Sequence, residues 1–301
     1  MNKFTRRTVI AAACAAAAMT FGPMSFAQQA PEKKDVTIAV GGKSLYYYLP
    51  LSIAEQLGYF KDEGLNVKIV DFQGGSRSLQ AVVGGSADVV SGAFEHTISM
   101  QAKKQPMTAF VLQGRAPQLA LVVSNKTMKD YKQLSDLKGK KVGVTAPGSS
   151  SQMVANFILK KGGLGPKDVA FIGVGSSSGA VSAIRSGQID ALINLDPVIT
   201  ILLKNGDAKL VADTRKVKES ESFFGGTMPA GCLYAPVSFI EKNPQTVQAL
   251  TNAIVRADEW LSKATPEEVA KVVPASYLMG NRDIYLAGFE GNRDALSPDG
   301  R

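Results

Sequence analysis

Ser76-x-x-Leu79-x-Ala81-Val82-x-x-Gly85-x-x-Asp88 returns 102 positions later as Ser178-x-x-Val181-x-Ala183-Ile184-x-x-Gly187-x-x-Asp190, with the same spacing at every quoted position. Each copy follows an apolar run that ends in small residues (67–75 and 169–175) and precedes another (89–92 and 191–195). Each therefore reads as strand, Gly/Ser turn, short helix, tight turn, strand. Two similar α/β lobes are the expected result. A Gly/Ser turn at a helix start presents unpaired backbone N–H groups and the positive end of the helix dipole, which suits an anion. Two such turns face to face would form a clamp. The alternative is that α/β packing alone produces the echo.

Working outward, strands are expected at 36–40, 66–72, 88–91, 107–113 and 119–124, with helices at 51–59, 77–83 and 96–102 between them. A second series follows: strands at 142–145, 169–174, 191–195 and 209–213, with helices at 151–161, 180–185 and 198–204. This alternation predicts a mainly parallel sheet flanked by helices in each lobe. After Phe223-Phe224-Gly225-Gly226 comes a strand at 231–235 and then long helices. Asn243 with Pro244 begins one of them, and Thr265-Pro266-Glu267-Glu268 is a capping box that begins the next. The expected division is a leader at 1–27, a polar tether at 28–35, a first lobe from 36–122 with 232–301, and a second lobe at 123–231.

The leader reading rests on Lys3, Arg6 and Arg7, a small apolar run from Thr8 to Met19, and Ser25-Phe26-Ala27 at a cleavage site. Arg6-Arg7 also fits a twin-arginine signal. Cys14 lies inside the apolar run, not after it, which argues against a lipoprotein anchor. Removal of residues 1–27 takes away three basic and no acidic side chains, so the formal net charge of +8 becomes +5. The remaining lysines are scattered, with no aromatic-basic stripe for nucleic acid and no zinc spacing. Only Cys232 would remain in the exported chain, so no internal disulfide is expected and a monomer held by its own core is.

Three stretches carry a family resemblance. They are Ala54-Glu55-Gln56-Leu57-Gly58-Tyr59-Phe60-Lys61-Asp62-Glu63-Gly64-Leu65-Asn66-Val67; Gly85-Ser86-Ala87-Asp88-Val89; and Leu137-Lys138-Gly139-Lys140-Lys141-Val142-Gly143-Val144 with Pro147-Gly148-Ser149. Together they resemble the periplasmic binding proteins of nitrate, sulfonate, taurine and thiamine-pyrimidine ABC transporters, over roughly residues 36–290. The resemblance implies a two-lobed, type II Venus-flytrap receptor. It would bind a small-molecule ligand between its lobes and deliver it to a membrane permease driven by a cytoplasmic ATPase. Such proteins usually carry further C-terminal helix where this chain reads Ser297-Pro298-Asp299-Gly300-Arg301.

Ligands of open parallel sheets lie beyond the carboxyl ends of the strands. The candidates in the first lobe are Ser44, Tyr47, Gly74, Gly75, Ser76, Phe94, Glu95, His96 and Gln113. In the second lobe they are Gly148, Ser149, Ser150, Ser151 and Asp196. The resemblance gives most weight to the Gly/Ser turns. Tyr46-Tyr47-Tyr48 cannot all point one way from a short loop, and Tyr47 is chosen for the cleft. Glu95 and Asp196 would repel a pure dianion, so if both line the site the ligand carries an amine or amidine as well as an anionic or carbonyl group.

Gly175-Ser176-Ser177-Ser178-Gly179 satisfies the nucleophile-elbow pattern of α/β-hydrolases. The one histidine, His96, precedes it, whereas that fold needs its base after the nucleophile. The glycines at 173, 175 and 179 miss dinucleotide spacing. The pyrimidine-precursor synthases that the resemblance brings in carry a cysteine cluster that this chain lacks. The expectation is a periplasmic receptor without cofactor, metal or catalytic residues, which captures a small polar, anionic organic solute. The alternatives are a synthase-like or hydrolase-like enzyme on the same fold, or a receptor subunit for a sensor kinase.

Overall fold

The structure, a computed structural model, describes residues 29–301; the leader and cleavage site expected at 1–27 lie outside the described residues. Among the described residues ten strands form two five-stranded sheets. The first contains β1 (Asp35–Val40), β2 (Asn66–Asp71), β3 (Val89–Ala93), β4 (Met107–Leu112) and β10 (Gly231–Pro236), in the order β2-β1-β3-β10-β4. The second contains β5 (Ala120–Ser124), β6 (Lys141–Val144), β7 (Ala170–Gly173), β8 (Ala191–Asn194) and β9 (Ala208–Asp213), in the order β7-β6-β8-β5-β9.

The two orders are one topology written twice. In each sheet the first three strands are mutually parallel, and an antiparallel strand separates the third from the last. Four strands of five thus run the same way, as the alternating pattern predicts. The inverted strand is the one that arrives from the other lobe: β5 enters the second sheet from the first lobe, and β10 returns. Because β5 lies wholly in the second sheet, the outward crossing falls at residues 113–119. The sequence pattern puts it at 122–123. An all-apolar strand such as Ala-Leu-Val-Val-Ser fits the core of either sheet, so its composition could not assign it.

The helices between the strands are α1 (Leu49–Gln56), α2 (Tyr59–Asp62), α3 (Gly75–Val83), α4 (Glu95–Ala102), α5 (Ser150–Lys161), α6 (Ser178–Ser186), α7 (Val198–Lys204) and α8 (Val217–Phe224). The repeated phrase is α3 and α6 with their exits. Ala81 and Val82, like Ala183 and Ile184, are buried against their sheets. Gly85 and Gly187 take φ of 76° and 82°, which closes the turn that only glycine adopts freely. Asp88 then bonds both ways to Thr37 (N–H to O 2.9 Å, Thr37 N–H to Oδ2 2.9 Å), and Asp190 does the same with Lys141 (2.9 and 3.0 Å). The shared aspartate thus fastens the start of the first strand in each lobe, at the end of the sheet away from the cleft.

Beyond β10 lie α9 (Val237–Lys242), α10 (Pro244–Lys263), α11 (Pro266–Val272) and α12 (Arg282–Asn292). The buried face of α10 (Val247, Leu250, Ile254, Ala257, Leu261) packs on α1, α2 and β4 of the first lobe. Asn243 does not cap it with its side chain; the Glu32 carboxylate does, accepting from Gln245 N (3.1 Å) and Thr246 N (3.0 Å). The tether is therefore fixed from Glu32 onward and does not run free to residue 35. The Thr265–Glu268 capping box is formed. α12 departs from a first-lobe assignment, because it packs on α7 of the second lobe as well as on α11.

Candidate functional site

The carboxyl ends of the two sheets face each other. The turn after β1 meets the turn after β7: a Cβ on Gly42 would lie 2.3 Å from Ser176 Oγ. The turn after β2 meets the turn after β6: a Cβ on Gly74 would lie 2.8 Å from Ala146 Cβ. Both glycines have positive φ (109° and 98°), so backbone shape and close approach each demand them. Ser76 N–H donates to Ser149 Oγ (3.0 Å), Ser149 Oγ to Ser76 Oγ (3.1 Å), and Ser76 Oγ to Pro147 O (2.9 Å). Two Gly/Ser turns do face each other. The partner of Gly74-Gly75-Ser76 is 147–149, however, and not its own echo at 175–178. Their donors are spent on one another, which makes them a latch between lobes.

Behind the latch lies a narrow cleft with only about 20 Å³ of enclosed space, room for little more than a water molecule as the lobes stand. Tyr47, Tyr48, Gly75 and His96 line it from the first lobe, and Thr145, Ser149, Ser150 and Ser151 from the second. Pro117 and Leu119 of the outward crossing and Leu195 complete an apolar wall. No Lys or Arg is among the lining residues. Lys43 is engaged by Glu55, and Arg215 by Asp196 and Asp213.

The three tyrosines form one 3-10 turn and divide their work. Tyr46 turns away, donating its hydroxyl to Tyr285 O (2.6 Å) and packing edge-on to that ring. Tyr47 and Tyr48 stack edge-to-face at the cavity. Tyr47 is 4% exposed and its hydroxyl has no partner. Glu95 opens α4; its Oε1 accepts from Ser150 Oγ across the lobes, while Oε2 is shut from solvent and unpartnered. Burial pushes its carboxyl above the usual range, and the Ser150 bond opposes this. His96 is 2% exposed; Nδ1 lies 3.1 Å from the Tyr234 hydroxyl, and the ring bonds to the Gly148 backbone of the opposite lobe. Burial pushes its imidazole down to about 4, so the ring is neutral at neutral pH.

Several expected residues lie elsewhere. Asp196 is 1% exposed and saturated: it accepts from Thr200 N (2.7 Å), Arg215 Nη1 (3.1 Å) and Asn292 Nδ2 (2.6 Å), and its carbonyl accepts from Tyr46 N (3.2 Å). It has no free oxygen to offer a ligand. Ser44 lies on the turn after β1 without lining the cavity, and Phe94 packs, half-buried, against the first-lobe core. Gln113 is buried at the outward crossing and accepts from Ser91 Oγ (2.8 Å). Gly148 stands opposite Ser76, 3.7 Å from its Cβ if it bore one, and donates to Gln152 Oε1. Ser151 binds Thr145 through both the backbone N–H (3.1 Å) and the hydroxyl (2.9 Å), holding the β6-α5 turn. Pro117, Leu119 and Thr145 were missed. Pro117, between the end of β4 at Leu112 and the start of β5 at Ala120, is the available signal, since proline marks the turn that joins two strands.

The profile of the family described as NMT1/THI5 like matches residues 46–269, most of the chain. The chain belongs to the NMT1/THI5-like family. A solved structure from Bordetella bronchiseptica RB50 is 60% identical, covering 91% of this chain and 86% of that one, with a TM-score of 0.90. The periplasmic nitrate-binding protein NrtA of Synechocystis PCC 6803 has a TM-score of 0.68 at 18% identity, covering 88% and 70%, and so shares the fold. A 4-amino-5-hydroxymethyl-2-methylpyrimidine phosphate synthase of Aspergillus parasiticus is 25% identical over 268 residues, covering 84% of this chain and 75% of that protein. This NMT1/THI5-like chain thus has the two-lobed fold of periplasmic binding proteins.

Proposed function

We propose that this protein is the extracytoplasmic solute-binding receptor of an ABC importer. It holds a small organic solute between its lobes and presents the closed form to a membrane permease with a cytoplasmic ATPase. One observation carries the reading: the cavity is walled by both lobes, and side chains of one lobe bond to the other across its mouth. A ligand that touches both lobes stabilises only the closed arrangement, which is what a transporter can sense. Within the described residues no helix is long and apolar enough to cross a membrane.

The lining does not favour a strong oxyanion, because it supplies no cation and sets Glu95 nearby. An enzyme reading finds little support. Cys232 is buried and burial raises its thiol, so it is no nucleophile. His96 engages Tyr234 and not a serine. The hinges in this reading are residues 113–119 and 225–230, where the chain passes between sheets. Labels at the exposed Lys103 and Lys160 should draw together when a ligand saturates the protein, with unchanged secondary structure. A bound ligand that leaves the label distance unaltered would leave a static pocket and remove the receptor mechanism.

A further inference from the structure

The two crossings between the sheets are fastened to each other. Gly114 N–H donates to Gly231 O (3.1 Å) and Ala230 N–H to Gly114 O (3.1 Å), while Arg115 N–H donates to Ala295 O (2.8 Å). Up to residue 115 the outward crossing is thus held with the first sheet. From residue 118 it is held with the second: Gln118 N–H donates to Thr214 O (3.1 Å) and Leu119 N–H to Thr214 Oγ1 (3.2 Å), just past β9. Between these anchorages lie only Ala116 and Pro117.

Gln118 spans that pivot with its side chain. Its backbone has φ of 57°, unfavourable for a residue with a Cβ, and the Thr214 bonds on both sides hold it there. The amide is turned back over the first-lobe side: a Cβ on Gly114 would lie 2.9 Å from Gln118 Nε2. Gln118 is 1% exposed, and neither Nε2 nor Oε1 has a hydrogen-bond partner. At the other end of the same crossing, Gln113 Nε2 is also buried and unpartnered. Buried polar groups are paired in the great majority of cases, so two such amides at one pivot call for a cause. From this placement we infer that Gln118 is a spring set against closure: closing the lobes shuts its amide from water without a partner, and opening returns it to water. The bonded latch is thus opposed at the pivot, and the ligand-free protein rests open until a solute adds contacts to both lobes. Gln118 does not line the cleft, yet it sets affinity, because apparent affinity scales with the fraction of protein that is closed. The inference rests on the receptor reading and assigns the residue that fixes its resting state.

The test needs no ligand. The separation of labels at Lys103 and Lys160 is measured in the ligand-free parent, in Gln118→Met and in Ser76→Trp. Methionine keeps the length of glutamine and removes both polar atoms. The tryptophan is a wedge that holds the lobes apart, since a Cβ on Gly148 would already lie 3.7 Å from Ser76 Cβ. The parent should show mainly the long separation of the wedged protein. Gln118→Met should raise the ratio of short to long separations about tenfold, the equilibrium effect of no longer burying an unpaired polar group, with urea unfolding nearly unchanged. If Gln118→Met fails to fold, Gln118→Ala removes the same atoms and should move the ratio the same way. Separations in the Gln118 variant equal to the parent's overturn the inference. A gain in stability with unmoved separations does so too, because the amide is then buried in both arrangements. The receptor reading survives either result, since it asks only that the lobes can move. One separation shared by the parent, the wedged protein and the Gln118 variant, equal to that of the closed structure, would mean lobes that do not move, and the receptor reading would fall as well.

Discussion

Glu95 and Asp196 occupy comparable places in the two lobes, each just past the third strand of its sheet at the start of the helix that follows, yet their surroundings are opposite. Asp196 is closed in by a guanidinium, an amide side chain and a helix N–H, which leaves its carboxylate nothing to offer. Glu95 has one hydroxyl partner and one bare oxygen. The same kind of group at the same topological point is a joint in one lobe and an open contact in the other. The difference lies in the partners, and those come from Arg215 and Asn292, far away in sequence. The pattern of supply, not the acid, decides which carboxylate keeps a free oxygen.

The largest expected effect breaks this comparison directly. Asp196→Ala strips the shared acceptor from Arg215, Thr200 and Asn292, so it should lower stability by about 3–5 kcal/mol, the usual cost of leaving one partner of a buried ion pair alone. Glu95→Gln should change apo stability by about 1 kcal/mol or less, because the amide oxygen can still accept from Ser150. Urea unfolding of the two variants beside the parent decides it. Equal losses would mean that Glu95 is a structural acid as well.

The repeated phrase made the two lobes legible because both copies bury the same faces and use the same turn glycine. It misled about the clamp, since the facing of turns is set by the relation between lobes, which no local pattern encodes. Tyr47, His96 and Ser149–151 were within reach of the rule that ligands lie beyond strand ends. Asp196 fitted that rule equally well and fails only because of Arg215 and Asn292. Pro117 and Leu119 stayed hidden because β5 was assigned to the wrong lobe, so the crossing itself was not seen as a wall.

A third acid sharpens the contrast. Asp258 on α10 is 0% exposed with neither oxygen bonded, and burial, with Asp299 adding to it, pushes its carboxyl up to about 9. The folded chain therefore keeps this proton from about pH 4, where the unfolded chain releases it, to about pH 9. Over that window the native state binds more protons, so stability falls as pH rises. Asp258→Asn mimics the protonated form. It should match the parent near pH 4 and gain on it by up to about 1.4 kcal/mol for each pH unit above that, several kcal/mol by pH 8. Parallel denaturation curves at both pH values measure this, and a variant weaker at pH 8 would show that the acid has a partner.

His96 should show the opposite slope. Its folded value of about 4 lies below the unfolded value near 6.5, so stability is whole above about pH 6.5 and is lost as pH falls towards 4. His96→Gln should flatten that limb of the curve. As the one histidine in the sequence, it also gives a single imidazole signal by nitrogen NMR, expected to be neutral at pH 6 with the proton on Nε2. A cationic ring at that pH would place it in contact with solvent.

The smallest effects separate neighbouring serines of α5. Ser151 is turned into its own lobe, where it accepts from Thr145 N–H and shares a bond with the Thr145 hydroxyl. Ser150 reaches across to Glu95. Ser151→Ala should cost about 0.5–1.5 kcal/mol of stability, the net worth of a buried neutral hydrogen bond, and alter ligand affinity little. Ser150→Ala should leave unfolding nearly unchanged, because the parent bond forms only when the lobes meet. It should weaken ligand binding by a similar energy, since closure then loses a contact that the open form never had. Paired measurement of melting and affinity on the two variants reads both effects. If both serines moved stability alone, the contact between Ser150 and Glu95 would belong to the resting fold, and closure would rest on Ser76 and Ser149.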